Sequence, residues 1–206
     1  MVRALLGLIS EGDLRPTAGR IAERAEISLR SVYVHFDDLD DLFLAASREQ
    51  RARVFALVRK LPCTGPFEVR LEAFVDQRAR VLEAIAGVAK ATGLQEPFSP
   101  ALAAASKSAR DLGRVELEEV FAIEIAELDA ARPHALDASD ALTNSDTWEY
   151  LRVRRGLPPQ EAAATLSTSL RLLLRPEVPA QARQRARRWR TRPPVTPAGS
   201  GGEERR

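Results

Sequence analysis

The sequence predicts an all-α chain, and three observations carry that prediction. Apolar residues recur at helical spacing along most of its 206 residues, as at Leu166, Leu170, Leu173 and Leu174. Strand signals are weak: aromatics make up only 5%, Val and Ile are scattered, and no alternating run is bounded by hairpin turns. Gly and Pro fall between the periodic segments, at Gly12, Pro62, "TGLQEPFSP" and Gly156.

The elements follow in order. Leu5, Leu6, Leu8 and Ile9 give a first helix over residues 2–10, stopped by Gly12. Thr17 is a natural N-cap for a second helix, with Ile21, Ala22 and Ala25 as its inner stripe. Ser28 caps a third, ending near Phe36. A fourth starts at Asp38 or Asp40 and runs until Leu61-Pro62 breaks it. Beyond a loop at 63–66, helices are expected over about 67–91 and, uninterrupted, 99–128. Residues 129–139 read as a looser stretch, 141–155 as a helix closed by Gly156, and Pro158 and Pro159 open the last helix. After Pro176 the chain turns Pro-, Arg- and Gly-rich and is expected to be disordered.

Composition excludes several classes. No apolar run approaches the ~18–20 residues of a membrane span, so no membrane partner is expected. One cysteine, Cys63, allows no disulfide framework, and the two histidines lack metal-binding spacing. No metal, cofactor or catalytic constellation is expected, and the expected location is cytoplasmic. The balance of 31 basic and 29 acidic residues says little by itself. Its distribution says more: residues 182–192 are densely basic, whereas "DDLDD" at 37–41 is acidic.

"ISLRSVYVHFDD" at 27–38 puts Arg, Ser, Tyr and His into a helix with few apolar residues. Only a few residues around Glu26 and Ile27 separate it from the helix before, the arrangement of a helix-turn-helix. On a helical projection Leu29, Val32 and Phe36 face inward, while Arg30, Ser31, Val34 and His35 face outward with Tyr33 at the boundary. An outward face of that kind suits a recognition helix. Arg30 can reach a guanine edge, Val34 a thymine methyl, and Ser31, Tyr33 and His35 phosphate oxygens.

The segment "TAGRIAERAEISLRSVYVHFDDLDDLF" at 17–43 resembles the DNA-binding region of the TetR family of transcriptional regulators. The matching residues are Thr17, Ile21, Ala22, Ala25, Ile27, Ser28, Ser31, Val32, Tyr33, His35, Phe36, Leu42 and Phe43. The resemblance implies a homodimer on a near-palindromic operator in double-stranded DNA. It implies Ser28, Arg30 and Ser31 at the DNA, Tyr33 and His35 on the backbone, and Thr17 capping helix two near a phosphate. Three departures stand out. Glu26 replaces a common turn glycine, Leu39 a common phosphate-binding lysine, and Leu29, inward on the projection, occupies a position that often touches DNA. Members also carry a longer first helix than one beginning at Met1, so an upstream start is expected.

The expected organisation is therefore a helix-turn-helix DNA-binding domain at 1–45, a helical effector-binding and dimerisation domain at 46–175, and a tail at 176–206. A small-molecule effector is implied, with Phe74, Arg78, Phe121 and Trp148 as candidate pocket residues. Leu166, Leu170 and Leu173 are candidates for the dimer interface, since the last two helices of the family commonly pair across the dimer. The expected function is a ligand-responsive regulator, a repressor. The alternative is an all-α interaction protein without specific DNA binding.

Overall fold

A computed structural model describes residues 1–56, 58–128 and 132–175. The fold is all-α: among the described residues there are ten α-helices and no strand. No described helix is long and apolar enough to cross a membrane. The expected disordered tail from Pro176, with its basic stretch, lies outside the described residues.

Met1–Arg175 is one compact unit built around two apolar clusters. The first gathers Leu5, Leu8 and Ile9 of α1 (Val2–Ser10), Ile21 and Ala22 of α2 (Ala18–Arg24), Val32 of α3 (Leu29–His35), and Leu42, Phe43 and Ala46 of α4 (Leu39–Phe55). We call this part the head. Its cluster also takes in Ala91 of α5 (Phe67–Gly93) and Leu102 of α6 (Pro100–Val120). The second cluster, the body, joins α5 and α6 to α7 (Ala122–Glu127), α9 (Ser145–Glu149) and α10 (Pro159–Leu174). It includes Leu71, Phe74, Leu117, Phe121, Trp148, Leu166 and Leu170, and Leu136 of α8 (Arg132–Leu142) packs against it.

The predicted caps form as hydrogen bonds. Thr17 Oγ1 accepts from Arg20 N at 3.3 Å, Ser28 Oγ from Ser31 N at 3.1 Å, and Asp38 Oδ1 from Asp41 N at 2.9 Å. Each satisfies a backbone donor that the first helical turn leaves open.

Helices α1 and α2 close in the same way. Asp13 N donates to Leu8 O and Gly12 N to Ile9 O; Ile27 N donates to Ala22 O and Glu26 N to Glu23 O. This paired close requires a left-handed residue just past the helix. Gly12 takes it at φ +95° without a Cβ, whereas Glu26 takes it at φ +55° with a full side chain. Glu26 therefore carries the strain of a left-handed residue with a Cβ, roughly 1–2 kcal/mol.

Four boundaries differ from the sequence reading. Helix α4 ends at Phe55, short of Leu61, because Arg59 N donates to the side-chain oxygen of Gln77 at 2.7 Å instead of continuing the helix. The expected helix at 99–128 breaks at Phe121, which is fully buried between Phe67 and Phe74 and takes a non-helical conformation (φ −111°, ψ 22°). The stretch read as loose contains α8, since a proline such as Pro133 is tolerated in a first helical turn. The helix expected at 141–155 is split at Thr143-Asn144. Asn144 caps α9, which passes into a π-helical turn over Tyr150–Arg154.

Candidate nucleic-acid interface

Helix α3 has seven residues, and Val32 is its one buried side chain. That burial, worth about 1.5–3 kcal/mol, seats the helix on α1, α2 and α4. Phe36, at the end of α3, and Leu39, at the start of α4, are half-buried against the same cluster. Leu39 thus serves the core at the position where a phosphate-binding lysine was the alternative.

Nearly everything else on α3 faces solvent. Arg30 and His35 are exposed, Tyr33 is 55% exposed and Val34 69%. Leu29 corrects the projection: it is 48% exposed rather than inward. As the first residue of the helix it projects past the neighbours that cover Val32. The predicted residues Ser28, Arg30, Ser31, Tyr33 and His35 are thus brought together on or beside one short helix, with Thr17 exposed at the start of α2.

The hydroxyls retain donors. Ser28 Oγ and Ser31 Oγ lie 2.8 Å apart, so one proton is spent between them and one remains. Thr17 Oγ1 only accepts in its cap, leaving its proton available. Arg30 makes no ion pair among the described residues.

The electrostatics hold a feature that attention to the motif alone passes over. Residues 1–45 contain five arginines (3, 15, 20, 24 and 30) and eight carboxylates (11, 13, 23, 26, 37, 38, 40 and 41), a side-chain balance of −3. Two of the arginines are engaged. Arg20 Nη1 sits 2.6 Å from Asp13 Oδ2, and Arg24 reaches both oxygens of Glu11 at 2.6 and 3.3 Å. Arg3, Arg15 and Arg30 remain as exposed cations outside ion pairs among the described residues. Counting charges by segment would have found this.

The candidate effector residues lie in the body core. Phe74 and Phe121 pack edge to face with centroids 5.2 Å apart, and the Arg78 guanidinium stacks over Phe74 at 4.8 Å. Arg78 Nη2 donates to Gly113 O at 2.8 Å and to Glu116 at 2.9 Å. Burial lowers the Arg78 pKa, against the opposing pull of Glu116. Trp148 Nε1 donates to Glu83 at 2.8 Å, and Glu83 also holds Arg152. These four side chains are packed into the fold and their polar ends are engaged. Below them Arg70 and Glu124, both almost wholly buried, form a two-pronged ion pair. Arg70 also donates to the carbonyls of Gly65 and Val120.

Two of the three expected dimer residues are buried within the chain. Leu166 and Leu170 are 1% and 0% exposed within a single chain, so their side chains have no surface left for a partner. They pack on α5 and the body core, and Leu173 is half-buried. The apolar side chains that α10 and the π turn leave exposed are Leu172, Tyr150 and Val153.

No protein-family model matches the chain, and no curated protein matches it. Among solved structures, the fold is similar to that of a transcriptional regulator from Rhodococcus sp. Rha1. The TM-score is 0.64 and the identity 21%, over 86% of this chain and 97% of that one.

Proposed function

We propose that this chain is a DNA-binding transcriptional regulator of the TetR type that binds a near-palindromic operator as a homodimer. The observation that carries this reading is α3 itself, a helix held by one buried valine while Arg30, Val34, Tyr33 and His35 stand in solvent beside a capped α2. In helix-turn-helix proteins the second helix enters the major groove, with its first residues against the base edges. In this reading Arg30 takes a guanine, and the free protons of Ser28 or Ser31 and of Thr17 take phosphates. The likeness of fold to a transcriptional regulator supports the same class.

Residues 1–45 act as the DNA-binding part and 46–175 as the effector and dimerisation part, in the cytoplasm, without catalysis. The second subunit packs on Leu172, Tyr150 and Val153, in place of the buried Leu166 and Leu170. The effector is a small molecule. To lodge near Phe74, Arg78, Phe121 or Trp148 it has to displace packed side chains, so binding there is coupled to a rearrangement of the body. Repression, rather than activation, rests on the family resemblance alone.

The competing reading is an all-α interaction protein without specific DNA binding. The −3 balance of residues 1–45 favours it, because non-specific affinity for DNA comes from cations neutralising phosphates. Selection from randomised duplex DNA with the full chain separates the two. The regulator enriches a near-palindrome whose half-sites lie about one helical turn, ~34–36 Å, apart. Failure to enrich any sequence, with the protein folded and dimeric, overturns the proposal in favour of the interaction protein.

A further inference from the structure

The two most exposed large aliphatic side chains of the head, Leu29 and Val34, stand outside its apolar cluster. They stand 48% and 69% exposed on a helix that needs only Val32 to be seated, on either side of Arg30 in sequence. We infer that Leu29 and Val34 read thymine methyl groups beside an Arg30–guanine contact. The operator half-site is then chosen by apolar contact as well as by the hydrogen bonds of Arg30. The inference rests on the DNA-binding reading above and deepens it.

Base chemistry makes the assignment specific. In the major groove guanine, adenine and cytosine offer hydrogen-bonding atoms, whereas thymine alone adds a carbon, its C5 methyl. An aliphatic side chain pressed on guanine, adenine or cytosine desolvates a polar edge without repaying it. Pressed on thymine it removes apolar surface from water on both partners.

Helix geometry makes the contacts compatible. Arg30 and Val34 are one turn apart on the same side of α3, about 6 Å along its axis. That is close to two base steps of ~3.4 Å. Leu29 lies one residue before Arg30, at the end of the helix that approaches the base edges. One guanine and two thymines, on either strand, fall within three or four consecutive base pairs.

The charge distribution points the same way. With Arg20 and Arg24 tied to Asp13 and Glu11, and eight carboxylates among residues 1–45, backbone attraction is weak. A head of this composition has to draw much of its operator affinity from the bases.

Deoxyuridine provides the test, because it differs from thymidine only by the missing methyl. On the selected operator each thymine of the half-site is replaced in turn, and binding is compared for wild type, Leu29→Ala and Val34→Ala. Wild type is expected to weaken roughly 3- to 10-fold at two positions per half-site, the share of a base-pair discrimination that a methyl can supply. Leu29→Ala loses the sensitivity at one of these positions and Val34→Ala at the other, each with an unchanged melting temperature. Wild-type binding that is indifferent to deoxyuridine at every position overturns the inference while leaving the regulator intact. A wild type with no preference for the operator over scrambled DNA overturns both.

Discussion

Helix α3 and the body core each supplied candidate functional residues, and the structure treats them in opposite ways. On α3 the candidates stand in solvent, held by Val32 and the Ser28 cap, and contribute little to the fold. In the body Phe74, Arg78, Phe121 and Trp148 are buried, stacked and hydrogen-bonded, so the fold needs them where they are. The difference teaches how to sort candidates of equal chemical promise. A side chain free of structural work can be given over to a partner, whereas a side chain engaged in packing must first be released. Substitutions on α3 should therefore change binding and leave stability alone, and substitutions in the body should do the reverse.

The largest expected effect lies in the body. Arg70→Met removes one half of an ion pair in which both partners are almost wholly buried, and leaves the Glu124 carboxylate without its cation. Breaking such a pair costs about 3–5 kcal/mol, readable as a lowered denaturation midpoint. The pair also sets a pH dependence. Burial raises the Glu124 pKa, but the hydrogen bonds from Arg70 and the backbone outweigh it and hold it below the ordinary glutamate range. Stability from Glu124 is therefore present above the unfolded value of about 4.3 and is lost as pH falls below it. Urea denaturation between pH 7 and pH 3 should show this loss, and Glu124→Gln should flatten it.

Next come effects of a few kcal/mol in each region. Arg30→Ala should weaken operator binding by roughly 10- to 100-fold, on the order of 1–3 kcal/mol, with the melting temperature unchanged. Gly113→Ala is its counterpart in the body. A methyl there would lie 2.6 Å from Arg78 Nη1, displacing the guanidinium from Glu116 or from its stack on Phe74. About 1–3 kcal/mol of stability should be lost, measured by thermal melting.

The smallest expected effect is a gain. Glu26→Gly relieves the left-handed strain that Gly12 avoids in the matching close of α1, offset in part by the freer unfolded chain. A net stabilisation of roughly 0.5–1 kcal/mol should appear in denaturant titration. The same change removes a carboxylate from the turn, so non-specific DNA affinity should rise slightly at low salt.

Local chemistry explains what could be read in the sequence. Thr17, Ser28 and Asp38 announced their helices because a cap is a contact within four residues. The outward face of α3 was legible because its polar side chains had no plausible inner partner. Leu29 was misplaced because a projection treats every residue as mid-helix, whereas the first residue projects past its neighbours. The rest was set by distant parts of the chain. The break at Phe121 comes from Phe67 and Phe74, and the early end of α4 from Gln77. Leu166 and Leu170 present the same stripe in sequence whether it meets a second subunit or the rest of its own chain. The structure buries both within the chain.

The most direct measurement is fluorescence anisotropy of wild type and Arg30→Ala on the selected operator and on scrambled DNA, at two salt concentrations, with melting temperatures determined in parallel. Wild type should prefer the operator at both salt concentrations. Its salt dependence should be shallow, because Arg3, Arg15 and Arg30 are the exposed cations of the head outside ion pairs among the described residues. Arg30→Ala should lose most of that preference while melting with wild type. Equal affinity of wild type and Arg30→Ala for the operator, or of wild type for operator and scrambled DNA, would contradict the assignment of α3 as the helix that reads DNA.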